Sequence, residues 1–244
     1  MKYKAAVFDM DGTVLDTAGD LCDSMNHVMG QLGLPAGFTI EDTHYLFGSG
    51  VTVAVSRALA MLDGADYKTL LTVGTEEDEV TRTLDPALRE KVQNMFRSYY
   101  GQHCSIKTGP YPGIPALLMR LREHGVHTAV VSNKPDPAVQ ELVDIHFKGL
   151  FDRALGESPA IRRKPAPDMT RKIVEELGIM PEEAVYIGDT EIDLQTAENS
   201  GTGCICVDWG FRTKDFLTAL GAPAVVSSAD ELGDLILSGA NKRE

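Results

Sequence analysis

The sequence predicts an α/β protein: a doubly wound parallel sheet with an all-helical segment inserted after its first strand. Three observations carry this. A short apolar run, Ala5 to Phe8, ends at once in two aspartates, Asp9 and Asp11. From Tyr111 onward, short apolar runs alternate with helical patterns. Between these regions, from about Thr17 to about Ser105, the spacing of apolar residues is helical. Helices joining parallel strands are the construction of a doubly wound sheet.

Taken in order, Ala5 to Phe8 is too short for a helix and suits a buried strand. Leu21, Met25, Val28, Met29 and Leu32 then recur at helical spacing, with Gly33 as a stop. Glu41 to Phe47 reads as a short helix ended by Gly48-Ser49-Gly50, and Val51 to Leu62 as another, closed near Gly64. Val73 to Leu84 is acidic and weakly patterned, a loop or a short helix. Asp85-Pro86 has the form of a helix N-cap followed by proline, and Leu88, Val92, Met95, Phe96 and Tyr99 continue one face. Pro112-Gly113 marks a turn before a helix from Ile114 to His124. His127 to Val131 is the next strand, and Asp136-Pro137 caps and opens the helix after it. Phe151 to Leu155 is a strand, and Met169 to Leu177 a helix stopped by Gly178. Ala184 to Ile187, Gly203 to Val207 and a short run at Ala224 to Val226 complete the strands.

The chain of 244 residues, 43% hydrophobic and 24% charged, is ordinary for a globular protein and has room for a sizeable core. The formal net charge of −13 argues against nucleic acid as partner. Cys204-Ile-Cys206 lies in an apolar strand-like run and none of the four cysteines forms a CxxC pair, so buried free thiols are expected, and zinc is not. MKYKAAVFD reaches Asp9 after only four apolar residues, which is no signal peptide, and no run is long enough to span a membrane. A cytoplasmic protein is the expectation, a monomer or homodimer with no membrane or nucleic-acid partner.

Chemistry concentrates at the strand ends. Asp9 and Asp11 lie two apart, so at the end of a strand their carboxyl groups point the same way. Gly12 permits the bend that follows. Two close carboxylates repel unless a cation joins them, and Mg²⁺ favours such oxygen ligands. A carboxylate beside Mg²⁺ attacks phosphorus, and a second one protonates the leaving oxygen and later deprotonates water. The bland alternative is a strand ending in an Asp-Gly turn. Ser132, at the next strand's end, either caps the following helix with Asn133 or binds phosphate.

AAVFDMDGTVLDT resembles the first signature of the haloacid dehalogenase superfamily of phosphatases and phosphomutases. VVSNK, Lys164-Pro-Ala-Pro and GDTEID resemble its second, third and fourth signatures, in the right order. The resemblance implies a Rossmann-like core of residues 1–16 and 106–244 and an all-α C1 cap of residues 17–105. It implies Asp9 as nucleophile, Asp11 as general acid/base and Lys164 as the lysine that holds the nucleophile and offsets phosphoryl charge. Ser132, Asn133 and Gly12 are the expected phosphate-binding set. Asp9, Asp189 and the backbone carbonyl of Asp11 would hold Mg²⁺, with Asp193 behind them. Gly48-Ser49-Gly50 resembles the cap loop that meets substrate, and equally reads as an ordinary interhelical turn. Arg162 and Arg163 read as surface charges.

Asp11 argues against a dehalogenase, which needs no such acid. The mutase histidine four residues past Asp-Thr is replaced by Leu21. A phosphonoacetaldehyde hydrolase would need a Schiff-base lysine in the cap, and Lys68 lies in a stretch with no matching signature. VSNKP, RKPAPD, GDTEID and Asp208-Trp-Gly-Phe-Arg212 look most like phosphoglycolate phosphatases. The implied function is a Mg²⁺-dependent phosphomonoesterase acting on a small phosphorylated metabolite, 2-phosphoglycolate first. The alternatives are a pyrophosphatase, a sugar-phosphate phosphatase or phosphomutase, and a catalytically silent regulatory protein that binds a phosphometabolite.

Overall fold

Ala5–Phe8 (β1) is buried at all four positions and forms the middle of the sheet. The computed structural model describes residues 3–239; Met1 and Lys2 of the N-terminal stretch, and residues 240–244, lie outside them. In chain order the elements are β1, β2 (Leu15–Asp16), α1 (Ala18–Gln31), α2 (Ile40–Leu46), α3 (Val51–Leu62), α4 (Tyr67–Thr72), α5 (Pro86–His103) and β3 (Gly109–Pro110). Then follow α6 (Ile114–Glu123), β4 (His127–Pro135), α7 (Asp136–His146), β5 (Arg153–Glu157), α8 (Asp168–Glu176) and β6 (Ala184–Gly188). The last are α9 (Glu191–Ser200), β7 (Gly203–Val207), α10 (Lys214–Ala219), β8 (Val225–Val226) and α11 (Ala229–Ser238).

Six strands form one parallel sheet in the order β5-β4-β1-β6-β7-β8. β1 pairs with β4 from Ala5↔His127 to Phe8↔Val130, and with β6 from Ala5↔Ala184 to Phe8↔Ile187. Alternate residues of β1 enter different cores. Ala6 and Phe8 pack with Leu118, Leu121, Val139, Leu142, Leu232 and Ile236. Val7 packs on the other face with Met169, Ile173, Ala197 and Leu217, and Cys204 and Cys206 join it. All four thiols are free and buried, as expected.

The chain divides into two compact units. One combines the chain up to Asp16 with the chain from Gly109 onward, and the other is Thr17–Thr108. The exit and return points pair as an antiparallel ribbon, Leu15↔Pro110 and Asp16↔Gly109. The second unit runs past residue 105 for a physical reason. The Asp20 carboxylate accepts from the amides of Ile106, Lys107 and Thr108 and from the Thr108 hydroxyl. In that unit Leu21, Met25, Val28 and Met29 of α1 are buried. Arg57 on α3 is buried too, and its guanidinium donates to the carbonyls of Tyr45 and Val73. Among the described residues no helix is long and apolar enough to cross a membrane.

Several elements differ from expectation. β4 continues through Ser132-Asn133-Lys134 to Pro135, because after a register shift Pro135 pairs again with Glu157 of β5. Asp136 does not cap α7, whose N-cap is Pro135. Its Oδ1 accepts from the Gly156 amide at 2.8 Å instead, and a Cβ at Gly156 would strike the Asp136 backbone. Residues 73–84 form turns, the loop of the two expected readings, with Asp78 accepting from the amides of Gly74 and Thr81. The Asp85-Pro86 cap forms, Asp85 accepting from Ala87 N–H.

Candidate active site

The site is built where β1, β4 and β6 end. Asp9 follows β1 directly, and its amide still donates to Ile187 O at 2.8 Å. Beyond it the chain folds into a tight loop, with the amides of Thr13, Val14 and Leu15 all converging on Met10 O. Gly12 turns this loop with φ of +86°, a conformation glycine adopts without strain. A Cβ there would also collide with the Asp189 carboxylate. The Gly12 amide donates to Leu15 O at 2.9 Å. Gly12 thus closes the loop through its amide.

Asp9 is buried, with its Oδ1 2.7 Å from Lys164 Nζ. Lys164, 4% exposed, also reaches Asp193 Oδ1 at 2.9 Å, and its ammonium lies 5.6 Å above the Tyr186 ring. Burial pushes the Asp9 carboxyl up to about 7; the Lys164 charge pulls against this, and Asp193 and Asp11 add to it. Burial draws the Lys164 ammonium down, but Asp193 and Asp9 overcome it and hold it well above its ordinary value. The lysine is thus a fixed cation between two acids.

Asp189 follows β6 and is fully buried. Its Oδ1 accepts from the Thr13 hydroxyl at 2.8 Å and its Oδ2 from the Phe211 amide at 2.7 Å. Burial first, then Asp193 and Asp9, push its carboxyl well above the ordinary range. Asp193, one turn into α9, uses both oxygens. Oδ1 accepts from Lys164 and Tyr186, and Oδ2 from the Asp189 and Thr190 amides and the Thr190 hydroxyl. Gly188 has no side chain because Asp193 fills that space.

β4 delivers Ser132, whose Oγ accepts from Lys134 N–H at 3.1 Å, leaving the hydroxyl proton for an anion. It does not cap α7. The Asn133 carboxamide is occupied elsewhere: Nδ2 donates to Lys164 O at 3.0 Å and Oδ1 accepts from Lys164 N–H at 2.8 Å. Its side chain braces the Lys164 loop. Lys134, which the sequence reading passed over, is 7% exposed and sets Nζ 3.0 Å from Asp11 Oδ1. A lysine following Ser-Asn carries no signal that separates it from a surface lysine. Arg162 pairs with Asp168. Gly48-Ser49-Gly50 belongs to the second unit, between α2 and α3, with φ of +101° at Gly48 and +89° at Gly50.

Carboxylate oxygens of Asp9, Asp189 and Asp193 lie within 4.8 Å of one another. Against these three acids stands the Lys164 ammonium, so a divalent cation fits the remaining charge. Asp193 is saturated by five donors, whereas each Asp189 oxygen accepts one hydrogen bond. Asp9 and Asp189 therefore suit a hard cation as direct ligands, with Asp193 behind.

The model of the haloacid dehalogenase-like hydrolase family matches residues 6–207. The chain belongs to that family. Among haloacid dehalogenase-like relatives, a phosphoglycolate phosphatase of Thiobacillus denitrificans is 30% identical over 95% of this chain and 94% of its own. One from Aquifex aeolicus is 31% identical over 85% and 86%. A crystal structure from Lactobacillus delbrueckii subsp. bulgaricus, provisionally named a phosphoglycolate phosphatase, superposes with a TM-score of 0.94 at 51% identity. It covers 97% of this chain and 99% of its own. The haloacid dehalogenase-like core accounts for the sheet order and for the placement of acids at the strand ends.

Proposed function

We propose that this chain is a Mg²⁺-dependent phosphomonoesterase that hydrolyses 2-phosphoglycolate through a phosphoaspartyl intermediate at Asp9. The observation that carries the reading is the convergence of Asp9, Asp11, Ser132, Lys164 and Asp189 beyond the ends of adjacent strands, where open α/β sheets bind ligands. The named relatives support phosphoglycolate as the substrate.

Asp9 attacks phosphorus, and the P–O bond to the leaving group breaks as Asp11 gives that oxygen its proton. Water, losing a proton to Asp11, then attacks the phosphorus of the acyl phosphate. Inorganic phosphate leaves, the Asp9 carboxylate is restored, and Asp11 is protonated again. The Ser132 hydroxyl donates to a phosphoryl oxygen. Lys164 keeps Asp9 oriented and offsets charge that builds on the transferring group. Mg²⁺, held by Asp9, Asp189 and the Asp11 carbonyl, would supply further stabilisation of that charge.

The test is a panel of 2-phosphoglycolate, pyrophosphate, several sugar phosphates and p-nitrophenyl phosphate, ranked by kcat/KM with Mg²⁺ and with excess chelator. The expected result is 2-phosphoglycolate first and loss of turnover in chelator. A sugar phosphate or pyrophosphate at the head would overturn the substrate, and full activity in chelator would overturn the metal.

A further inference from the structure

Arg212 lies in the loop after β7, and only 3% of its side chain is exposed. Its guanidinium grips Glu191 with two arms, Nε to Oε2 at 2.9 Å and Nη2 to Oε1 at 3.0 Å. A buried two-armed pair of this kind fixes direction as well as distance. Both partners adjoin the site. Glu191 opens α9, two residues past Asp189. Phe211, next to Arg212, donates its amide to Asp189 Oδ2, and its carbonyl accepts from Arg212 Nη1 at 3.4 Å.

The same loop reaches Asp189 by two other routes. Gly210 has room for no side chain, since a Cβ would strike the Asp189 carboxylate and Gly12 O. Trp209 Nε1 donates to Thr13 O at 3.1 Å, and the Thr13 hydroxyl holds the other Asp189 oxygen. Each oxygen of Asp189 is thus held by one donor, from two different loops. The Trp209–Arg212 segment is tied to both the Thr13 loop and the start of α9.

We propose that Arg212 and Glu191 act as a clamp that positions Asp189 for its metal ion by holding the Phe211 amide on Oδ2. Arg212 is a positioning residue and touches no reacting atom. The inference rests on the reading that Asp189 binds Mg²⁺. Partners that orient a metal ligand typically contribute about 10–100-fold in affinity.

The experiment measures Mn²⁺ affinity of the metal-stripped full-length protein from the EPR signal of free ion, with Mg²⁺ calorimetry alongside. Arg212→Met should weaken metal binding about tenfold or more, and Arg212→Lys should restore only part of it, because an ammonium lacks the fork. Adding Glu191→Met to Arg212→Met should cause little further loss, since one contact has already gone. Metal affinity within twofold of the parent in folded Arg212→Met would overturn the clamp, whatever happens to kcat. Glu191→Gln carries the same measurement if Arg212→Met does not fold: about tenfold weaker binding supports the clamp, and unchanged binding overturns it. Asp189→Asn separates the two readings. If it leaves affinity unchanged, the metal assignment fails; if it abolishes binding while the Arg212 and Glu191 variants bind normally, only the clamp fails.

Discussion

Each aspartate of the first loop has its own lysine, Lys164 for Asp9 and Lys134 for Asp11. One was legible in the sequence and the other was not. Lys164 sits in a proline-rich frame that marks it, whereas the Lys134 ion pair exists only because β4 continues past Val131 and carries it to Asp11. Gly12 and Asn133 show a further limit. Their presence at the site was readable, but their hydrogen-bond partners depend on how the loops close. Asp9→Asn should abolish turnover and leave circular dichroism unchanged, as the shape stays and the attacking charge goes. Clear phosphatase activity in that folded variant would exclude a phosphoaspartyl route. Lys134→Met should lower kcat more than it raises KM, because it frees the Asp11 carboxyl without touching the phosphoryl group. A change confined to KM would contradict that placement.

At the scale of elements, α1, α3, α5, α6, α7 and α8 were readable, as was the short α2, whereas α4 and α10 were not. The Asp85-Pro86 start of α5 carries a local physical signal. α4 and α10 span six residues each, too few for periodicity to register, and β2 and β3 pair only through contacts far apart in sequence. α2 shows what fixes such a short helix. Thr39 accepts from the Asp42 amide and Asp42 from the Thr39 amide, a capping box. Thr39→Ala should cost about 1 kcal/mol, read as a lower denaturant midpoint. Burial raises the Asp42 carboxyl, but bonds from Thr39 and Tyr67 outweigh it and hold it below the ordinary value. A depressed acid stabilises the fold above its unfolded pKa, and that contribution disappears as pH falls through the folded value. Asp42→Asn should therefore narrow its stability gap to the parent as pH drops below about 4. A gap independent of pH would remove Asp42 from the acid response.

For the whole molecule, the formal charge of −13 and the buried acids at the site act in one direction. A cation that binds only the folded chain raises stability by mass action. Mg²⁺ should thus raise Tm in proportion to the logarithm of its concentration, and Asp189→Asn should lose that response. An equal rise in both would mean that the ion acts elsewhere on the surface. The sheet order has a consequence for how the chain acquires its structure. β1 is the central strand, yet its neighbours begin only at His127 and Ala184. During synthesis it must wait, apolar and unpaired, while the helical residues 17–108 complete contacts among themselves. Late long-range pairing of this kind slows folding and prolongs exposure of sticky segments. The strand that leads into Asp9 is therefore among the earliest parts made and the latest secured.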